Sequence, residues 1–216
     1  MKAVEENFNK VWSSDSPTSE VSTLDQKELD LFIHCKRALD LGSGRGGNAI
    51  LLAKKGIQIT CLELSSVGIK KTKELAKCLP LKIIKCDLFS KLPFKDGTFD
   101  LVLAYQSLNH NSKDKILSTF CEVKRVLKKG GIFSIRIANR ETFRLKRIQG
   151  DIFLDEDYHV KFQMLDNQTF KGLSGDEEGI ILYAFYEDEL INDLTRIGFR
   201  KLNSRKSKFH IIANYS

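Results

Sequence analysis

Two hydrophobic periods alternate along this chain. Short apolar runs with little internal alternation, the pattern of strands buried on both faces, occur at Arg37–Leu41, Ile57–Leu62, Leu81–Cys86, Phe99–Ala104 and Ile132–Ala138. Between them apolar residues recur every three or four positions, the helical period. Gly68, Thr72, Leu75, Ala76 and Leu79 share one face of a helix that Ser65 or Ser66 can cap and Pro80 stops. Ile116, Leu117, Phe120, Val123 and Leu127 form the stripe of another over Lys113–Leu127, with Gly130 and Gly131 as its end. Alternating strand and helix predicts a parallel sheet with helices on both faces.

The two ends of the chain break this rhythm. Val4, Phe8 and Trp12 are spaced i, i+4 and i+8, which predicts a short amphipathic helix over Glu5–Trp12. Ser13–Ser22 reads as a loop, and Thr23-x-x-Gln26 as a capping box for a helix through about Ile33. At the other end, Glu187–Ile197 is helical and Gly198 ends it. Phe199–Asn203 and Phe209–Tyr215 then follow as strands with only Ser204–Lys208 between them, a link that joins antiparallel neighbours. In Arg140–Leu182 only Val160–Leu165 and Gly179–Ala184 look strand-like.

The densest chemical signal follows the first strand. Ala38-Leu39-Asp40-Leu41 runs into Gly42-Ser43-Gly44-Arg45-Gly46-Gly47-Asn48 and then the helix-like Ala49–Ala53. Glycine permits positive φ and close backbone approach, and a helix start offers free N–H groups to a ligand. Gly42-x-Gly44-x-x-Gly47 fits a dinucleotide loop, with Glu63 where a ribose-binding acid belongs. Asp40, Gly42, Gly44 and Gly46 equally satisfy Asp-x-Gly-x-Gly-x-Gly. Downstream stand Asp87, Leu92-Pro93-Phe94, Gly97, Phe99-Asp100-Leu101-Val102 and Leu127-Lys128-Lys129-Gly130-Gly131.

In this order and spacing, the set over Arg37–Ala138 resembles the class I S-adenosylmethionine-dependent methyltransferases, small-molecule type. The resemblance implies a doubly wound, Rossmann-like α/β fold with a mostly parallel seven-stranded sheet and an antiparallel last strand. It implies one methyltransferase domain over 1–216, with an N-terminal helical segment over 1–36 and a substrate-cap insertion over 140–182. The antiparallel C-terminal pair argues against a nicotinamide dehydrogenase, which lacks it.

Ligands of such sheets bind at the carboxyl ends of the strands, where strand order reverses. Gly42, Ser43 and Gly44 are then expected to contact the methionine moiety, and Asp40 to fix the loop or reach the ligand ammonium. Gly46 belongs to the same loop, though it and Gly47 also serve helix packing. Glu63 is expected to accept ribose hydroxyls, Asp87 and the Leu88 amide to hold the adenine edge, and Leu64 to pack on the ring. As plain structural alternatives, Asp87 caps a turn and Glu63 is a surface acid. In Tyr105-Gln106-Ser107-Leu108-Asn109-His110, which faces the methyl group in the resembled fold, His110 is a candidate base. Tyr105 is a candidate through its carbonyl or its ring. Trp12 either packs against the domain or forms part of a lid. Tyr158 and His159, in the acidic run Asp151, Asp155, Glu156 and Asp157, are either a solvated loop or a site for a cationic amine.

Composition narrows the partners. Net charge is +7, which permits nucleic acid or an acidic substrate, but the lysines are scattered and a solvated surface explains them. The five cysteines form no C-x-x-C unit, so reduced thiols and no metal site are expected. The first residues carry no apolar signal region, and no apolar run reaches the ~18 residues of a membrane span. The reading is therefore a cytoplasmic monomer or homodimer without membrane contact. It uses S-adenosylmethionine, leaving S-adenosylhomocysteine, to methylate a small molecule. The alternatives are an RNA or protein methyltransferase, or a non-catalytic binding domain.

Overall fold

The computed structural model describes residues 2–13, 24–76, 79–157, 159–207 and 210–216. Thr23, Cys78, Tyr158 and Phe209, and most of the Ser13–Ser22 loop, lie outside the described residues. In chain order the helices are α1 (Lys2–Ser13), α2 (Gln26–Phe32), α3 (Gly47–Lys54), α4 (Ser66–Ala76), α5 (Lys113–Val126) and α6 (Glu187–Ile197). The main sheet comprises β1 (Arg37–Leu41), β2 (Gln58–Glu63), β3 (Leu81–Lys85), β4 (Phe99–Tyr105) and β5 (Leu127–Ala138). It is completed by β11 (Lys201–Lys206) and β12 (His210–Tyr215). Its order is β11-β12-β5-β4-β1-β2-β3. β3, β2, β1, β4 and β5 are parallel, and β12 runs antiparallel to both of its neighbours. This is the doubly wound architecture expected, with the order reversing between β1 and β4. That reversal opens a crevice above the carboxyl ends of those strands.

Each face of the sheet has its own core. Leu39, Val102, Phe120, Phe133 and Tyr215 pack with α5 and α6 on one side. Ala38, Leu52, Ile59, Leu101 and Tyr105 pack with α2 and α3 on the other. Burial on both faces is what the unalternating strand sequences require.

Two terminators differ from expectation. α2 is capped by Asp25, not Thr23. The Glu28 N–H donates to Asp25 Oδ1 (2.9 Å), and the Asp25 N–H to Glu28 Oε2 (2.9 Å), so the reciprocal box is already complete. The Gln26 amide donates to Asp30 instead. α5 ends at Val126, ahead of Gly130 and Gly131. Its last carbonyls, on Arg125 and Val126, accept from the N–H groups of Gly97 and Thr98, so no glycine turn is needed. Leu127 goes straight into β5 opposite Phe99. Gly131 serves close approach: a Cβ there would lie 3.1 Å from the Asp100 carbonyl of β4.

The stretch over 140–182, followed into Tyr183, builds a second sheet. Its strands are β6 (Leu145–Gln149), β7 (Ile152–Asp155), β8 (Lys161–Met164), β9 (Thr169–Gly172) and β10 (Ile181–Tyr183). They form an antiparallel sheet in the order β10-β9-β8-β7-β6. Only β8 and β10 were foreseeable as apolar runs. β6 is exposed over all four residues after Leu145, and β9 places Lys171 between Phe170 and Gly172, so neither reads as an apolar run. Val160, Phe162, Phe170, Leu182 and Ala184 give this sheet its own small core. It is tied to the main sheet where the Phe185 N–H donates to the Ala138 carbonyl (3.0 Å) and the Tyr183 N–H to the Asn109 carbonyl (2.8 Å).

A 3-10 turn at Gly175–Glu177 packs onto β9 so closely that a Cβ on Gly172 would sit 1.8 Å from the Glu177 carbonyl oxygen. Backbone cannot yield as a flexible side-chain tip does. Gly172→Ala is therefore expected to lower stability by at least the ~1–3 kcal/mol of ordinary overpacking. Urea unfolding checks it; an unchanged midpoint contradicts the packing described.

Candidate functional site

The loop after β1 turns on three left-handed glycines, Gly42 (φ +71°), Gly44 (φ +53°) and Gly46 (φ +78°). The N–H groups of Gly42 (2.8 Å) and Ser43 (3.2 Å) donate to the Leu62 carbonyl, clamping the loop to the end of β2. A Cβ on Gly42 would meet Ser107 Cβ at 2.4 Å, and one on Gly44 would meet the Trp12 ring at 2.6 Å. Both positions therefore need glycine for space as well as for conformation. Gly46 is the N-cap of α3, against Thr72.

Glu63 ends β2 and is buried, which excludes its reading as a surface acid. Its Oε2 accepts from the Gly44 N–H (2.7 Å) and its Oε1 from the Ser65 N–H (2.8 Å). Burial pushes its pKa up, and the amides of Ser65, Gly44 and Leu64 pull against that. Asp40 lies below the loop, 2% exposed. Burial first, and then the charge of Glu63, raise it to about 7. Among the described residues its Oδ2 has no hydrogen-bond partner.

A cavity of about 240 Å³ opens above these strand ends. Gly42, Glu63, Leu64, Asp87, Leu88 and Phe89 form one wall. Gln106, Ser107, His110 and Asn111, from the segment after β4, form another. Val4, Phe8 and Trp12 of α1 form the roof. Asp87 lines the cavity and accepts the Phe89 N–H within its own turn (3.0 Å). Asp40, Ser43, Gly44 and Gly46 shape the loop without lining the cavity.

The roof is latched from several sides. Glu5 accepts from Lys85 Nζ (2.5 Å) and Ser66 Oγ (2.7 Å). Asn9 Oδ1 accepts from Ser65 Oγ (2.7 Å) and the Val67 N–H (3.2 Å). The Asn7 amide donates to the Glu178 carbonyl (2.7 Å). The Trp12 carbonyl accepts from Arg45 and Lys71. Trp12 thus both packs on the glycine loop and roofs the cavity. The i, i+4, i+8 stripe was the signal for this wall, and it did not say what the stripe would cover.

The Tyr105 ring is a correction. The side chain points to the opposite face of the sheet, where the hydroxyl donates to Glu28 Oε1 (2.6 Å) beside Ser134 Oγ (2.7 Å). The Arg136 guanidinium lies 4.7 Å over its ring. Neighbouring strand residues face opposite ways, and Ala104 takes the other face. No role for the Tyr105 ring in the cavity survives. In the acidic run, Asp151 accepts from Gln163 of β8 and Asp155 from the Asp157 N–H in the turn after β7, and neither lines the cavity. His159 likewise is not part of the cavity. His110 is part of it, with the Phe8 ring edge-on at 5.5 Å and Glu177 Oε2 3.7 Å from Nε2. Glu177 was not foreseen, since nothing local in 140–182 marks it.

Among the described residues no cluster of His, Cys, Asp and Glu could hold a metal ion, and no helix is long and apolar enough to cross a membrane.

A folded-state Asp40 raised from 3.8 to about 7 holds a proton that the unfolded chain has lost. Its contribution therefore falls as pH rises through that window, by up to about 1.4 kcal/mol per pH unit. Asp40→Asn should remove this slope. Denaturant unfolding of both proteins from pH 4 to 7 checks it: the stability difference should shift in the variant's favour as pH rises, and a pH-independent difference contradicts it.

Residues 39–135 match the family model described as a methyltransferase domain. A Caenorhabditis elegans sterol 4-C-methyltransferase, strm-1, is 34% identical over 113 residues, 50% of this chain and 32% of that protein. The chain spans less than two thirds of the length of the curated relatives it matches. Among solved structures, the PH0226 protein from Pyrococcus horikoshii OT3 superposes with TM-score 0.71 at 24% identity, covering 95% of this chain and 92% of that one. A Burkholderia thailandensis 1,6-didemethyltoxoflavin-N1-methyltransferase, solved with 1,6-didemethyltoxoflavin and S-adenosylhomocysteine, gives 0.64 at 14% identity over 99% and 79% of the two chains. Both share the fold. The Asp40-x-Gly-x-Gly-x-Gly loop, the strand order with its antiparallel β12 and the methyltransferase-domain match over 39–135 together make this chain similar to the class I S-adenosylmethionine-dependent methyltransferases.

Proposed function

We propose that this chain binds S-adenosylmethionine in the cavity under α1 and directs its methyl group to a small-molecule acceptor by in-line displacement. The observation that carries the reading is Glu63. Each of its oxygens accepts one backbone N–H, from Gly44 and Ser65, and each keeps a further lone pair. Those pairs suit the two hydroxyls of a ribose. Asp40 has an unpartnered oxygen under the loop, which suits a ligand ammonium acting through the loop or a water. Asp87 and the Leu88 N–H would hold the adenine amino edge, with Leu64 against the ring, a reading supported by all three residues lining the cavity. The donor fits this set of residues and supplies a methyl group already activated on a sulfonium.

The protein's own task is then mostly alignment and exclusion of water. α1 does the excluding, with Val4, Phe8 and Trp12 as an apolar roof. Gln106 and His110 line the far end, where the acceptor would lie. If the acceptor must lose a proton, His110 is the group to take it. The small-molecule reading is supported by the roof that Val4, Phe8 and Trp12 lay over the cavity.

Thermal unfolding with excess S-adenosylmethionine, S-adenosylhomocysteine or NAD tests the proposal. A ligand at ~100 times its dissociation constant adds roughly 2.7 kcal/mol, or about 5–10 °C for a domain of this size. Shifts of that order with the two sulfur ligands and none with NAD are expected. A shift with NAD alone, or with none of the three, overturns it.

A further inference from the structure

Gln106 stands at the far end of the cavity with φ +57°, one of two positive-φ residues other than glycine among those described. Left-handed backbone is unfavourable for a residue with a Cβ, and such strain persists only where the surroundings hold it. Its N–H donates to the Arg136 carbonyl (2.7 Å), and its side-chain nitrogen lies 2.9 Å from His210 Nε2. His210 opens β12 opposite Ala138 of β5. Burial, then Arg136, then His110 lower its pKa to about 4. The ring is therefore neutral near pH 7 and can accept the amide hydrogen. A carboxamide has two unlike ends. With one N–H fastened to His210, its oxygen is the acceptor it keeps for a ligand. The carboxylates lining the cavity, Glu63 and Asp87, stand at the opposite end, after β2 and β3. Around Gln106 the wall is Phe8, His110 and Asn111.

We infer that Gln106 selects the methyl acceptor and that His210 is its positioning residue, so that the acceptor is a small molecule whose N–H or O–H donates to Gln106 Oε1. This rests on the proposed methyl-transfer reading of the cavity.

The test uses protein saturated with S-adenosylhomocysteine and two matched probe pairs, indole with 1-methylindole and phenol with anisole, titrated by NMR. In the wild type the donor-bearing member of at least one pair should bind about fivefold more tightly, the worth of one hydrogen bond. Gln106→Gly relieves the backbone strain and should keep the unfolding midpoint, yet bring that ratio to about one. His210→Phe should do the same to the ratio, and His210→Gln, which keeps an acceptor at similar reach, should restore it. S-adenosylhomocysteine affinity should be the same in all four proteins. A ratio near one for both pairs in the wild type overturns the inference, and so does a ratio that persists in both Gln106→Gly and His210→Phe. Failure of the wild type to bind S-adenosylhomocysteine at all overturns the cofactor reading itself, and the inference with it.

Discussion

The buried carboxylate of Glu63 is the constraint on which the rest of the site depends. A charge this deep is tolerated only when it is hydrogen-bonded. The partners it has found are backbone N–H groups on either side of it in space, Gly44 from the loop after β1 and Ser65 from the start of α4. One side chain therefore joins two βα units. The Gly44 carbonyl is held in turn by Thr72 Oγ1 (3.0 Å) from α4. Only a chain without a Cβ can pass between Glu63 and Trp12 at this point. Glycine loop, acid and roof are thus one arrangement rather than three neighbouring features.

That arrangement also explains why the cavity is roofed. α1 is short and would be marginal as an isolated helix. It is held by polar contacts to α4, β3 and the turn between β9 and β10, with its Val4–Phe8–Trp12 stripe laid over the crevice. The second sheet, with its own small core, brings Glu177 to His110 and Glu178 to α1. The strand-order reversal makes the crevice, and the elements outside the parallel sheet close it.

Much of this was legible in the chain itself, for physical reasons. Asp40, Glu63 and Asp87 each follow an apolar run, and acids at the ends of consecutive parallel strands must converge on one edge of the sheet. The antiparallel β12 was readable because five residues cannot cross a sheet. Sidedness was not readable. β4 is apolar throughout, so nothing in Phe99–Tyr105 says that Tyr105 turns towards Glu28 and away from the cavity. Gly130 and Gly131 gave the same signal for a helix end and for close strand approach, and the contacts of Gly97 and Thr98 with α5 decided between them. The strands β6 and β9 were hidden because β6 is exposed along nearly its whole length and β9 sets Lys171 beside its one large apolar residue, Phe170. Gln106, His210 and Glu177 meet only through the tertiary fold.

The most direct measurement of the central claim, that Glu63 fixes the loop and still receives the ribose, is a calorimetric cycle. Wild type and Glu63→Gln are each titrated with S-adenosylhomocysteine and with its 2′,3′-dideoxyribose analogue. The account predicts that the wild type prefers the natural ligand by about tenfold or more, the worth of one or two hydrogen bonds to a charged acceptor. It predicts that Glu63→Gln largely loses that preference. A variant that discriminates between the two ligands as strongly as the wild type would contradict it.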